Sequence, residues 1–160
     1  MKFLMRLLNW KRSLILSIGT LLLLVPLNFY GLYTDKFYFF KFDNYIFPLL
    51  TVVHFVFLYA IWFKIREEEI ADPQMRNLEY TLYVIFLVYI YKAMETLSIL
   101  MSHSDYADHV IPATFIPMGI AILILHLLLL GLTLLTFAHR KRLVGSYNFE
   151  QMNQHFDSWE

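Results

Sequence analysis

Residues Ile111 to Phe137 read IPATFIPMGIAILILHLLLLGLTLLTF. Over these 27 residues the only ionisable side chain is His126. An α-helix rises about 1.5 Å per residue, so the run is longer than the ~30 Å needed to cross the hydrocarbon core of a bilayer. Its apolar residues are continuous and do not alternate, which excludes a barrel strand and leaves a helix whose backbone groups are satisfied internally. The excess length predicts tilt or protrusion.

Working outward from this segment, three more runs have the same character: about Leu14 to Tyr33, Tyr45 to Phe63, and Tyr80 to Met101. Together they predict an all-α integral membrane protein, with four transmembrane helices in a bundle over residues 1–142 and a polar, aromatic C-terminal tail at 143–160. Composition agrees. Of 160 residues, 59% are hydrophobic and 16% charged, against roughly 45–50% and about 25% in soluble domains. Mean hydropathy is +0.54. Lys+Arg and Asp+Glu both total 13, so no charge excess points to nucleic acid. The chain has no cysteine, which excludes disulfides, thiolate-held zinc, iron–sulfur ligation, thiol catalysis and covalent c-type haem.

The N-terminus resembles a signal peptide, with Lys2, Arg6, Lys11 and Arg12 ahead of an apolar stretch. That stretch continues through Leu21 to Val25 with no small-x-small cleavage site, so it reads as a retained first span. Ten of the thirteen basic residues fall before span one, between spans two and three, or after span four. Only Lys36 and Lys41 lie in the opposite loops, and Lys92 lies inside a span. The positive-inside rule then predicts both termini cytoplasmic, or on the matrix side of an organellar inner membrane. Tyr30, Tyr33, Phe37 to Phe40, Phe42 and Tyr45 cluster at the outer boundary, with Trp62 and Phe63 at the inner one. Interface anchoring explains them, and a quinone or lipid groove is the alternative.

Ionisable side chains inside a membrane are costly and face the bundle interior or a cavity. This chain has His54, Lys92, Glu95 and His126. Counting along the helices from the outer boundary puts His54 and Lys92 about 14 Å deep, Glu95 about 9 Å and His126 about 17–22 Å, with Asn28 of span one near the level of Glu95. Three readings are open. Lys92 and Glu95, as i,i+3 neighbours, neutralise each other in a purely structural interior. His54 and His126, on different spans, are the candidate axial ligands of a b-type haem, although their depths differ by ~3–8 Å. Lys92, Glu95 and His54 form a proton, quinone or ion site. Pro26, Pro48 and Pro117 lie in the outer halves of their spans and predict kinks there, opening a small polar vestibule beside Lys92 and Glu95.

The outer loop carries a second candidate. His103, Asp105, Asp108 and His109 are suitable ligands for zinc or copper, although Asp and His are also ordinary loop and capping residues. His139 beside Arg140, Lys141 and Arg142 reads as a headgroup-facing basic cluster. Gly119 and Gly131 permit close helix approach, and Gly145 is a helix-ending candidate. Tyr147, Phe149, Phe156 and Trp159 are many aromatics for a solvated tail, and suggest docking on a neighbour or on the membrane surface. A frayed terminus is the other reading.

No nucleophile elbow, zincin motif, phosphate-binding loop or dinucleotide fingerprint occurs. The C-terminal half, with a span-centred His126, a basic end and an aromatic tail, resembles in outline small membrane proteins associated with cytochrome oxidase assembly. The likeness rests on no specific motif and carries over no residue. The expected function is a small integral membrane subunit of a larger complex, more in keeping with a respiratory or redox assembly. It contributes a haem b or quinone-lining site and is not catalytic on its own. The alternatives are a proton or ion transport module working as an oligomer through Lys92 and Glu95, and an outer-face metal-binding assembly factor. Expected partners are other membrane subunits, lipid and quinone.

Overall fold

The computed structural model describes residues 8–106 and 110–147, with the side chains of Asp105 and Tyr106 outside the description. Four long helices dominate it: α1 (Trp10–Leu27), α2 (Ile46–Arg66), α3 (Pro73–Met101) and α4 (Phe115–Leu143). All four are long and apolar enough to cross a membrane. Four antiparallel helices put the start of α1 and the end of α4 at the same end of the bundle. We call this the terminal end of the bundle, and the opposite one the loop end.

The helices form a closed square. Each packs on its neighbours in sequence, and α4 returns to pack on α1. Every helix turns one stripe inward at three- and four-residue spacing, such as Phe47, Thr51, His54, Phe57, Leu58 and Ile61 on α2. Large apolar side chains on the other faces stay exposed, among them Ile15, Leu22, Leu49, Val84, Leu87 and Ile124. Such a surface suits lipid, where it costs nothing, and not water. Several buried hydroxyls are satisfied within their own helices, although the Ser13 hydroxyl has no partner among the described residues. Ser17, Thr51, Thr133 and Thr136 each donate to the carbonyl four residues back, at 2.7–2.9 Å. Ser13 and Ser17 on α1, and Thr133 and Thr136 on α4, therefore act as small residues that let these helices approach closely.

The helix ends differ from the sequence reading at instructive places. Span one does not run to Tyr33. It stops at Leu27, and Tyr30–Gly31 (β1) pairs antiparallel with Lys36–Phe37 (β2) in a short hairpin. Asp35 takes φ 53° at its tip. Gly31 is a close approach there: an added Cβ would come 2.5 Å from the Tyr38 ring, which would have to shift. Pro48 and Pro117 lie in the first turns of α2 and α4, where the missing N–H has no helical partner in any case. They mark helix starts and not mid-span kinks; only Pro26 sits deep in a helix, in the last turn of α1. At the other end of α3, Asp72 accepts from the Met75 N–H at 2.7 Å with Pro73 in the first turn. Gly145, at φ +100°, follows the end of α4. Gly119 is a point of close approach, where an added Cβ would meet Leu100 at 2.5 Å, whereas Gly131 faces open space.

Candidate functional site

The unequal helix lengths create the site. α1 has 18 residues, against 29 in α3 and in α4. At the loop end α1 runs out first, and its place is taken by the hairpin and the segment leading into α2. Between the end of α1, the hairpin, α3 and α4 lies a half-open cleft of about 380 Å³. Tyr30 bridges Asp35 and Thr114 Oγ1, and Tyr33 meets Ser102 Oγ at 2.5 Å, so the hairpin is tied to the residues before α4 and after α3. The walls are mainly apolar and aromatic, from Phe29, Leu32, Tyr33, Tyr38, Ile99 and Ile122.

Asn28, Lys92, Glu95 and His126 all line this cleft. Lys92 Nζ lies 2.8 Å from Glu95 Oε2, with the two side chains 24% and 40% exposed. Their i,i+3 spacing puts both on one face of α3. Asn28 Nδ2 donates to the Asn44 carbonyl at 2.5 Å, which fixes the segment preceding α2. His126 Nδ1 lies 2.9 Å from the Ile122 carbonyl. A carbonyl can only accept, so Nδ1 carries the proton. No residue of the described structure bonds Nε2. Lys41 adds a second cation at the rim.

His54 is elsewhere. It is fully buried, with Nδ1 3.1 Å from the Tyr89 hydroxyl and Nε2 without a partner. The two histidines proposed as haem ligands are not brought together. A run of ring contacts separates them: His54 on Tyr89 at 5.8 Å, Tyr89 on Phe47 at 5.6 Å, and Phe47 on His126 at 6.1 Å. Phe47 and Tyr89 are both in the closed core, and a macrocycle held by both imidazoles would have to replace them.

Of the outer-loop metal candidates, Asp108 and His109 lie outside the described residues, as does the Asp105 side chain. His103 packs its ring on Phe115 at 5.3 Å. Among the described residues no group of three potential ligands gathers.

A second polar cluster sits at the terminal end, and the sequence reading missed its centre. Glu79 is fully buried. Its Oε1 accepts from Arg140 and from Tyr83, and its Oε2 accepts from Tyr147, each at 2.6 Å. Arg140 also donates to the Gly145 carbonyl at 3.0 Å and lies 4.4 Å from the Tyr147 ring centre. Burial, and then the hydrogen bond to Glu79, hold the Tyr147 phenol well above its usual range. His139 lies 3.1 Å from the Leu8 carbonyl. His139 and Arg140 therefore face inward and not toward headgroups, because the buried stripe Leu129, Leu132, Thr136 continues onto them at three- and four-residue steps. Only Lys141 and Arg142 remain exposed. The start of the tail docks on its own bundle through Tyr147; residues 148–160, with Phe149, Phe156 and Trp159, lie outside the described ones.

Comparison with known proteins finds no matching family, no matching curated relative and no matching solved structure. The functional reading rests on the cleft alone.

Proposed function

We propose that this protein is a small integral membrane subunit of a larger membrane assembly, and that its own task is to hold an amphipathic small molecule of the quinone class in the loop-end cleft. One observation carries the reading. One cleft with apolar and aromatic walls gathers an ammonium–carboxylate pair and an imidazole with a free ring nitrogen, on helices long and apolar enough to cross a membrane. Binding sites for such molecules combine this kind of wall with a few convergent polar groups. A quinone head is flat and apolar on its faces, with oxygens at its edges. Phe29, Tyr33 and Tyr38 suit the faces, Lys92 suits an edge oxygen as a donor, and His126 suits an edge hydroxyl of the reduced form as an acceptor. The broad apolar exterior fits a subunit that packs among others.

The competing reading, conduction of protons or ions through Lys92 and Glu95, is less well supported. Below the cleft the bundle axis is filled by Phe47, Tyr89, Phe57 and Leu129, all essentially without exposure.

Purified protein in nanodiscs, titrated with tetramethyl-1,4-benzoquinone and its hydroquinone, tests the proposal through intrinsic fluorescence quenching. Saturable binding that is weakened at least about tenfold by Lys92→Met is expected, as for loss of one charged hydrogen bond. No saturable binding of either form, or binding indifferent to Lys92, would overturn it. In proteoliposomes the transport reading requires flux that Glu95→Gln abolishes; the present reading expects none in either protein.

A further inference from the structure

We propose that the cleft selects the hydroxyl-bearing, reduced form of its ring ligand over the carbonyl-bearing, oxidised form, with His126 as the residue that discriminates. The inference rests on the reading of the cleft as a quinone-class site and adds its chemical preference.

His126 cannot present either ring nitrogen at will. It is anchored through Nδ1 to the Ile122 carbonyl of its own helix, one turn earlier. That bond fixes the tautomer in the neutral imidazole: Nδ1 holds the hydrogen, and Nε2 is left with a lone pair. The residue is only 6% exposed, and it contributes to the lining of the cleft. The cleft therefore offers a hydrogen-bond acceptor at the level of His126. A carbonyl oxygen placed against it would set lone pair against lone pair. A hydroxyl would donate to it.

The opposite demand comes from α3. Lys92 has three N–H donors and spends one on Glu95. Lys92 and Glu95 line the same cleft as His126, so the ammonium presents its remaining donors to whatever the cleft holds. A ligand group that donates to His126 and accepts from Lys92 satisfies both. A phenolic hydroxyl does so with a single oxygen, and a carbonyl does not. Asn28 spends one of its two amide N–H donors on the Asn44 carbonyl and keeps the other, so it meets either form equally. Its side-chain oxygen adds a second acceptor. The aromatic rings of Phe29, Tyr33 and Tyr38 among the lining residues favour a flat ring over a saturated alcohol.

The selection follows from leaving a buried acceptor unmade in one complex and satisfied in the other. Titration of the purified protein under nitrogen with tetramethylhydroquinone, and separately with the corresponding quinone, measures it directly. The expected result is at least about tenfold tighter binding of the hydroquinone. His126→Phe should remove the preference, and Lys92→Met should weaken both forms. Equal affinity, or tighter binding of the quinone, in the unaltered protein would overturn the inference while leaving the cleft as a quinone-class site. Failure of both forms to bind would overturn the proposed function itself. The comparison is made on the unaltered protein, so it does not depend on either variant folding.

Discussion

Glu79 and Glu95 lie on the same helix in opposite circumstances. Glu79 is fully buried and accepts from Arg140, Tyr83 and Tyr147, whereas Glu95 is partly exposed and pairs with Lys92. Removing one partner of a buried ion pair strands the other, at about 3–5 kcal/mol. An exposed pair three residues apart contributes less than about 1 kcal/mol. Glu79→Gln should therefore lower the thermal midpoint in detergent far more than Glu95→Gln, and equal losses would contradict the contrast. Tyr147→Phe should cost about 1–2 kcal/mol and speed proteolysis after Gly145. The Tyr147 phenol is raised above its ordinary 10.0 when folded. Its contribution is thus fully present below pH 10 and is lost only as pH rises through the folded value. Lys92, Glu95, His54 and His126 were legible because each interrupts an apolar run. Glu79 was not, because it directly precedes the run beginning at Tyr80 and looks like loop. Its signal was the spacing Met75, Glu79, Leu82, Ile85, which carries the buried face one turn beyond the apolar segment.

At the scale of elements, the existence of all four helices was legible and their ends were not. Hydropathy registers the membrane, but helices end by capping and by steric demands that hydropathy does not see. The α1 helix ends at Leu27, and the chain folds back through the hairpin although Phe29 and Leu32 are as apolar as residues of the helix before it. That early stop opens the cleft. The connection between α2 and α3 shows the same principle. Asp72 caps α3 and also meets Lys64 Nζ at 2.7 Å, beside Glu69 at 2.6 Å. Partial burial raises the Asp72 carboxyl, but the Lys64 ammonium and the Met75 and Gln74 N–H groups together hold it below its usual 3.8. Its stabilisation is present above that ordinary value and fades as pH falls through the lowered one. Asp72→Ala should cost about 1 kcal/mol, with the difference from the unaltered protein shrinking in strong acid. A pH-independent difference in thermal midpoint would count against this account of the turn.

At the scale of the molecule, a closed four-helix square places the start of α1, the end of α4 and the α2–α3 turn at one end, and the hairpin and the start of α4 at the other. The absence of cysteine makes this easy to test. Single cysteines at Phe40 and Val110, which are fully exposed, should react with a membrane-impermeant maleimide from one side of sealed vesicles. Cysteines at Glu68 and Lys141 should react only from the other. Labelling of Phe40→Cys and Lys141→Cys from the same side would break the topology. The basic residues predict which side is which, and the same experiment decides it. The polar vestibule expected beside Lys92 and Glu95 has a counterpart in the cleft, reached through a short α1 and not through proline kinks. The pairing of His54 with His126 was not a fact that depth along a helix could settle, because depth does not say which residues of a third helix stand between. The central claim is that the loop-end cleft holds a quinone-class ring, and an azido-quinone photolabel followed by peptide mapping tests it most directly. The account predicts competable labelling within residues 27–34, 92–99 and 122–126. Labelling spread over the lipid-facing sides of α2 and α3, and unaffected by excess unlabelled ligand, would contradict it.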